Sequence, residues 1–234
     1  MAKISAMRQF KAILKKDIVM ELRTKEMLTS MGLYTLLTLV VYYIALSQAG
    51  NGFDVRLIAG GLLWLAFLFT SMLGLNRSLV HEKDQGCLEA LLLSPVDRPV
   101  IFLAKATGNL IFLLIVQVLT IPLFFVMFLS NRAIGGEFWM IPLSMIVGSI
   151  GIAGVGTLLA TISVNTRGRD FILAVLFVPL MYPLLLATVG ATSAAILGGP
   201  GFATEFWQDM ALAAGYDGIM LLAAYALYEF VVGA

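Results

Sequence analysis

The chain has 234 residues, 60% hydrophobic and only 12% charged, with a mean hydropathy of +0.97, whereas water-soluble domains run nearer half apolar and a quarter charged. Fifteen Lys and Arg against 14 Asp and Glu leave a net charge of +1, too weak a field for nucleic acid. One cysteine rules out an internal disulfide framework, and one histidine rules out His-rich metal sites and confines Ser-His or Cys-His catalysis to His81; a multispan membrane protein remains.

The first 26 residues read as a helix lying along the inner membrane surface, a cytoplasmic interfacial segment ahead of a membrane domain over 27–234. Met7, Phe10, Leu14, Ile18 and Leu22 recur at three- and four-residue steps, while Arg8, Lys15, Lys16 and Arg23 point elsewhere. Asp17 and Glu21 flank the stripe one turn apart and, with Arg23, are candidates for contact with a cytoplasmic partner. The alternative is a positive-inside anchor with no further role.

Uncharged stretches follow over Met27 to Phe53, Leu57 to Asn76, Ala106 to Asn131, Phe138 to Thr166 and Phe171 to Thr204. Each holds the roughly 20 apolar residues that cross a bilayer core. A sixth span is predicted over about Met210 to Val232, with Asp217 and Glu229 near its ends. The first stretch begins too late for a signal peptide and is expected to stay uncleaved. Basic residues fall seven in the N-terminal segment, four in the second loop and two in the fourth loop, against only Arg56 and Arg132 on the other side. That split predicts both termini in the cytoplasm and places Trp139 and Trp207 near the outer interface.

The second loop, Arg77 to Lys105, is longer than a connector needs. It runs from polar His81-Glu82-Lys83-Asp84 through Gly86 to Leu88-Glu89-Ala90-Leu91-Leu92-Leu93-Ser94-Pro95. Leu88, Leu91 and Leu92 share one face of a short helix that Pro95 and Pro99 stop. Too short to cross the membrane, it rests on lipid, on the chain's own helix ends, or in a groove of another protein.

The fourth span is rich in small residues (Ser144, Gly148, Ser149, Gly151, Ala153, Gly154, Gly156, Ala160), which predicts close helix packing ahead of a substrate path. Pro179 and Pro183, four residues apart, mark a kink in the fifth. Asn76, Asn109, Gln117, Thr157, Thr161 and Asn165 are the polar groups within spans, with no buried ionisable pair at mid-membrane of the kind ion relays carry. The chain has no nucleotide-binding glycine loop with its lysine, so any ATP is hydrolysed by another polypeptide.

These residues resemble the haem exporter protein B family, the permease subunit of the ATP-binding-cassette (ABC) complex of cytochrome c maturation. The densest part is Gly61-Leu62-Leu63-Trp64 through Leu75, then Asp84-Gln85-Gly86-Cys87-Leu88-Glu89, Leu92, Ser94-Pro95 and Leu103-Ala104-Lys105, with Pro179-Leu180 and Pro183-Leu184 in the fifth span. The stretch from Tyr216 to Phe230 carries the resemblance least. The resemblance implies an all-α membrane protein of the exporter-type (ABC-2-like) permease class, with six transmembrane helices, in the cell inner membrane.

It also implies partners: an ABC ATPase subunit, a second copy of the chain, a haem-handling membrane subunit and a small single-span subunit. The ATPase-binding coupling helix would comprise Glu82, Gly86, Leu88, Glu89, Leu91, Leu92, Ser94 and Pro95. ATP enters through the partner, haem is possible cargo, and no cofactor or metal is expected on this chain. Trp64, Trp139 and Trp207 stand alone, so the tryptophan-rich haem motif is missing. Alternatives are a permease exporting lipid, drug or glycan and, in another class, an intramembrane Ser-His enzyme, against which His81 lies in a charged loop.

Overall fold

The computed structural model describes residues 5–48, 53–84, 96–130, 134–164 and 169–233, and among these the regular structure is entirely helical. The helices are α1 (Ala6–Thr24), α2 (Glu26–Ser47), α3 (Arg56–Asp84), α4 (Arg98–Phe124), α5 (Met140–Val164), α6 (Arg169–Leu197) and α7 (Phe202–Gly233). A π-helical turn, Phe125–Leu129, extends α4. Helices α2 to α7 supply six segments long and apolar enough to cross a membrane, so this is a multi-pass membrane protein.

Helix α5 is the axis of the bundle and packs against α3, α4, α6 and α7. Its glycines make this possible, because they let neighbouring side chains reach the helix backbone. A Cβ on Gly148 would run into the Trp64 ring, one on Gly151 into Asp217 and Leu184, one on Gly154 into Leu221, and one on Gly156 into Leu75. The small-residue stretch is therefore a packing surface. Helices α2 and α7 are peripheral and expose long apolar faces such as Leu33, Leu37 and Val41, and Leu212, Ile219 and Leu222, as lipid-contacting helices do.

Buried polar side chains join the helices in pairs. The Trp64 indole N–H donates to Thr192 Oγ1 at 2.8 Å, and Thr192 shares a second hydrogen bond of 2.8 Å with Ser144, tying α3, α6 and α5 together. Asn109 Nδ2 donates to Thr157 Oγ1 at 2.9 Å and Gln117 Nε2 to the Met145 carbonyl at 3.0 Å, both across α4 and α5. The Thr35 and Thr70 hydroxyls bond at 2.9 Å across α2 and α3. Most of the in-span polar groups seen in the sequence are thus fastened to neighbouring helices or to their own backbone.

Two boundaries differ from the charge-gap reading. The stretch from Phe171 to Thr204 is not one helix: α6 stops at Leu197 and α7 starts at Phe202. Gly198, Gly199 and Gly201 all take positive φ between them, a backbone that glycine adopts without steric penalty. The last span therefore starts earlier than Met210, and Asp217 lies near its middle, 4% exposed against Gly151. At the other boundary, α4 begins at Arg98, with Pro99 in its first turn, where the missing N–H costs nothing. Pro99 thus opens α4; the short helix it was expected to stop lies outside the described residues.

Candidate functional site

Alternation of the spans puts α1, the ends of α3, α5 and α7 and the starts of α2, α4 and α6 on one side of the bundle. Cross-links confirm the grouping. Arg77 pairs with Glu26 at 3.2 Å, joining the end of α3 to the start of α2. Arg98 Nη1 donates to the Glu229 carbonyl at 3.1 Å, joining the base of α4 to the end of α7. On the opposite side Gly135 N–H donates to the Ile196 carbonyl at 2.9 Å, and the exposed Trp139 and Trp207 rings stand 6.3 Å apart.

The α1 side carries the candidate site, built around the first turns of α4. Lys105 is 3% exposed and donates from Nζ to Asp17 Oδ2 at 2.8 Å; Lys16 approaches the other carboxylate oxygen at 3.1 Å. Around this pair lies a second apolar cluster, separate from the main core, in which Ile13, Ile101, Phe102, Leu158, Ala224 and Tyr228 meet. Phe102 and Tyr228 hold their ring centroids 5.2 Å apart. One cluster therefore binds α1, the base of α4, the end of α5 and the end of α7 to one another.

The sequence-predicted residues sort as follows. Asp17 is buried on Lys105, and Glu21 accepts the Leu28 N–H at 2.9 Å, which caps the first turn of α2. Both carboxylates thus have partners within the chain, while Arg23 is exposed. The apolar stripe of α1 is inward at Phe10, Leu14 and Ile18 and deepest at Ile13, but its ends, Met7 and Leu22, are 60% and 52% exposed. Of the loop, residue 82 belongs to the last turns of α3. Gly86, Leu88, Glu89, Leu91, Leu92, Ser94 and Pro95 lie outside the described residues.

Pro179 and Pro183 are both exposed within α6, which runs through them. Tyr216 of α7 donates its hydroxyl to the Leu180 carbonyl, three residues ahead of Pro183. A proline loosens the hydrogen-bond ladder in its preceding turn, and the tyrosine supplies a donor there.

Sequence reasoning missed Lys105, read as a loop cation, and the ring pair of Phe102 and Tyr228. One signal for the ion pair was available: Asp17 follows Ile13 by four residues and so shares its helix face. Its partner is 88 residues away and carries no local signature. Among the described residues no group of three or more His, Cys, Asp and Glu side chains could hold a metal.

The arrangement is mechanical in kind: a buried ion pair and an apolar joint at the root of the helix that follows the loop. Comparison with known proteins gives the family. The profile of the CcmB protein family matches residues 8–232. The chain belongs to the CcmB protein family. The match reaches past Glu229, so α7 lies within the family's extent.

Among individual relatives, haem exporter protein B of Pseudomonas aeruginosa is 29% identical over 154 residues, 65% of this chain and 67% of that one. The namesakes in Haemophilus influenzae (22% identical, 96% of each chain) and Bradyrhizobium diazoefficiens (24%, 97% of this chain and 94% of the other) align over almost their full length. Six membrane-spanning helices within the matched residues make the chain a permease of that family.

Proposed function

We propose that this chain is the force-transmitting membrane subunit of an ABC complex for haem handling in cytochrome c maturation. It hydrolyses nothing itself. A separate ATPase subunit docks on the α1 side, on the loop between α3 and α4, and its nucleotide-driven motion rearranges the membrane helices and drives release of the haem-loaded chaperone. A second copy of the chain, a haem-handling membrane subunit and a small single-span subunit complete the assembly. The membrane is the cell inner membrane, with residues 1–26 as a cytoplasmic interfacial segment on a 27–234 membrane domain. Both termini are cytoplasmic, in keeping with 13 of the 15 basic residues falling on that side.

The observation that carries this reading is the anchored root of α4. The loop runs directly into Arg98, and within eight residues α4 is fastened to α7 through Arg98 and Phe102 and to α1 through Lys105. A push on the loop therefore reaches three helices at once. In the loop, Leu88, Leu91 and Leu92 would fill the ATPase groove, with Glu82 and Glu89 at its rim.

The test is reconstitution of the complex in proteoliposomes. ATP-dependent release of the haem-loaded chaperone is expected with the wild-type chain and lost with Leu91→Asp/Leu92→Asp. Release at the wild-type rate with that variant would refute the role of the loop. Orientation is tested with a single cysteine at position 91 (Leu91→Cys, Cys87→Ser). In intact cells it should resist an impermeant reagent and react only after permeabilisation; reaction in intact cells would invert the topology.

A further inference from the structure

We propose that the outward face of α1 is a docking surface for anionic phospholipid headgroups. The helix buries Ile13 and Asp17 against α4 and presents Arg8, Lys11, Lys15 and Arg23 on its other side, all exposed; Lys16 is exposed beside them but pairs with Asp17 at 3.1 Å. Its two acids do not offset these charges outside. Asp17 is turned inward onto Lys105, with Lys16 reaching around to it, and Glu21 is occupied at the start of α2. Folding has thus sorted the charges of α1 into acids inside and cations outside.

Depth identifies the occupant. The continuous span from Arg98 to Leu129 has 32 residues, about 48 Å at the helical rise, against a hydrocarbon core of about 30 Å. Centred in the bilayer, its core segment begins roughly one and a half to two turns after Arg98, which is where Lys105 meets Asp17. Helix α1 therefore lies at the level where hydrocarbon gives way to headgroups.

The chemistry of the face agrees. Lys15, Lys16 and Arg23 edge a shallow open groove with Ala12, Val19 and Met20 between them, and Val19 and Leu22 remain exposed beside the charges. Cations interleaved with aliphatic side chains match a phosphodiester with glycerol and acyl carbon beneath it. An acidic protein surface would satisfy the cations and leave the aliphatic residues unmatched. This inference stands apart from the coupling role, because it needs α1 only at the membrane surface.

The test uses the full-length chain purified in neutral detergent and titrated separately with phosphatidylglycerol and phosphatidylcholine. Native mass spectrometry counts the bound lipids at low and high salt. The wild type should retain phosphatidylglycerol about tenfold or more over phosphatidylcholine at low salt, and salt should weaken the preference. Each base near an anionic surface contributes roughly fivefold, so Lys15→Gln/Arg23→Gln should abolish most of it. Lys15→Arg should preserve it, as should Arg56→Gln on the opposite side.

Both side chains of the double variant are exposed, and circular dichroism verifies that the helices persist. Equal retention of the two lipids by wild type would overturn the proposal, as would a preference that survives in Lys15→Gln/Arg23→Gln. If that variant kept its lipid preference but stopped capturing the ATPase subunit, the face would belong to a protein partner and the proposal would fall.

Discussion

Lys105 and Asp17 form a buried ion pair at 2.8 Å between α4 and α1. Both residues are buried, and each makes the other's burial tolerable. An ion pair of this kind adds little net stability compared with a well-packed apolar pair, but losing one partner strands the other charge. Its value here is positional: it fixes where α1 sits on the root of α4.

Removing the carboxylate should therefore cost more than removing both charges. Asp17→Ala leaves the Lys105 ammonium buried at the base of α4 and should destabilise by about 3 to 5 kcal/mol. Asp17→Leu with Lys105→Met should recover most of that loss. Thermal unfolding of the purified variants in detergent gives the coupling energy. Strictly additive losses would mean that the pair is not a unit.

The glycines of α5 should divide from those of α7 by what stands over them. Gly148→Ala pushes a methyl into the Trp64 ring and should cost about 1 to 3 kcal/mol. Gly218→Ala meets nothing within 4 Å and should be neutral or stabilising by up to about 1 kcal/mol through helix propensity. The same unfolding measurement checks both. A Gly148→Ala protein as stable as wild type would contradict the close packing of α3 on α5.

Lys25 joins α1 to α2 with φ of 55°, a left-handed conformation that disfavours residues carrying a Cβ by about 1 to 2 kcal/mol. Lys25→Gly should stabilise the chain by about 1 kcal/mol, and Lys25→Val should destabilise it. Melting temperatures of the two variants should fall on opposite sides of wild type.

Haem should pass this chain without a ligand from it. The candidate axial ligands are His81, Cys87 and the twelve methionines. Met31, Met145 and Met181 are buried among apolar neighbours, the usual setting of packing methionines. Purified chain mixed with haem should give no stoichiometric Soret shift. A shift that disappears in His81→Ala would restore a direct cytoplasmic entry route.

How much of this was legible in the sequence depends on the physical signal involved. Gaps between charges located the spans, because a charge inside hydrocarbon is costly. The same rule blurred the turn at Gly198 to Gly201, which carries no charge to mark it. It also put Lys105 in the second loop, outside the spans, since a neutralised lysine looks like a free one until its partner is known. Asp217 was placed near a helix end for the same reason. The glycines of α5 announced close packing, but not that Trp64, Leu75, Asp217 and Leu221 would be the side chains received. Loop chemistry could be read as a docking helix only through its apolar spacing and the family resemblance, since Leu88, Leu91 and Leu92 have no use for one another alone.

The central claim, that the loop between α3 and α4 is the ATPase docking element, is tested most directly by capture. The tagged chain and its ATPase subunit are co-expressed, membranes are solubilised, and the ATPase retained by wild type is compared with that retained by Leu91→Asp/Leu92→Asp. Each fully buried leucine contributes roughly 1.5 to 3 kcal/mol, so charging two of them should reduce capture by at least a hundredfold while the variant keeps its helical content. Wild-type capture by a correctly folded variant would contradict the claim and make the leucine face a lipid-contacting element.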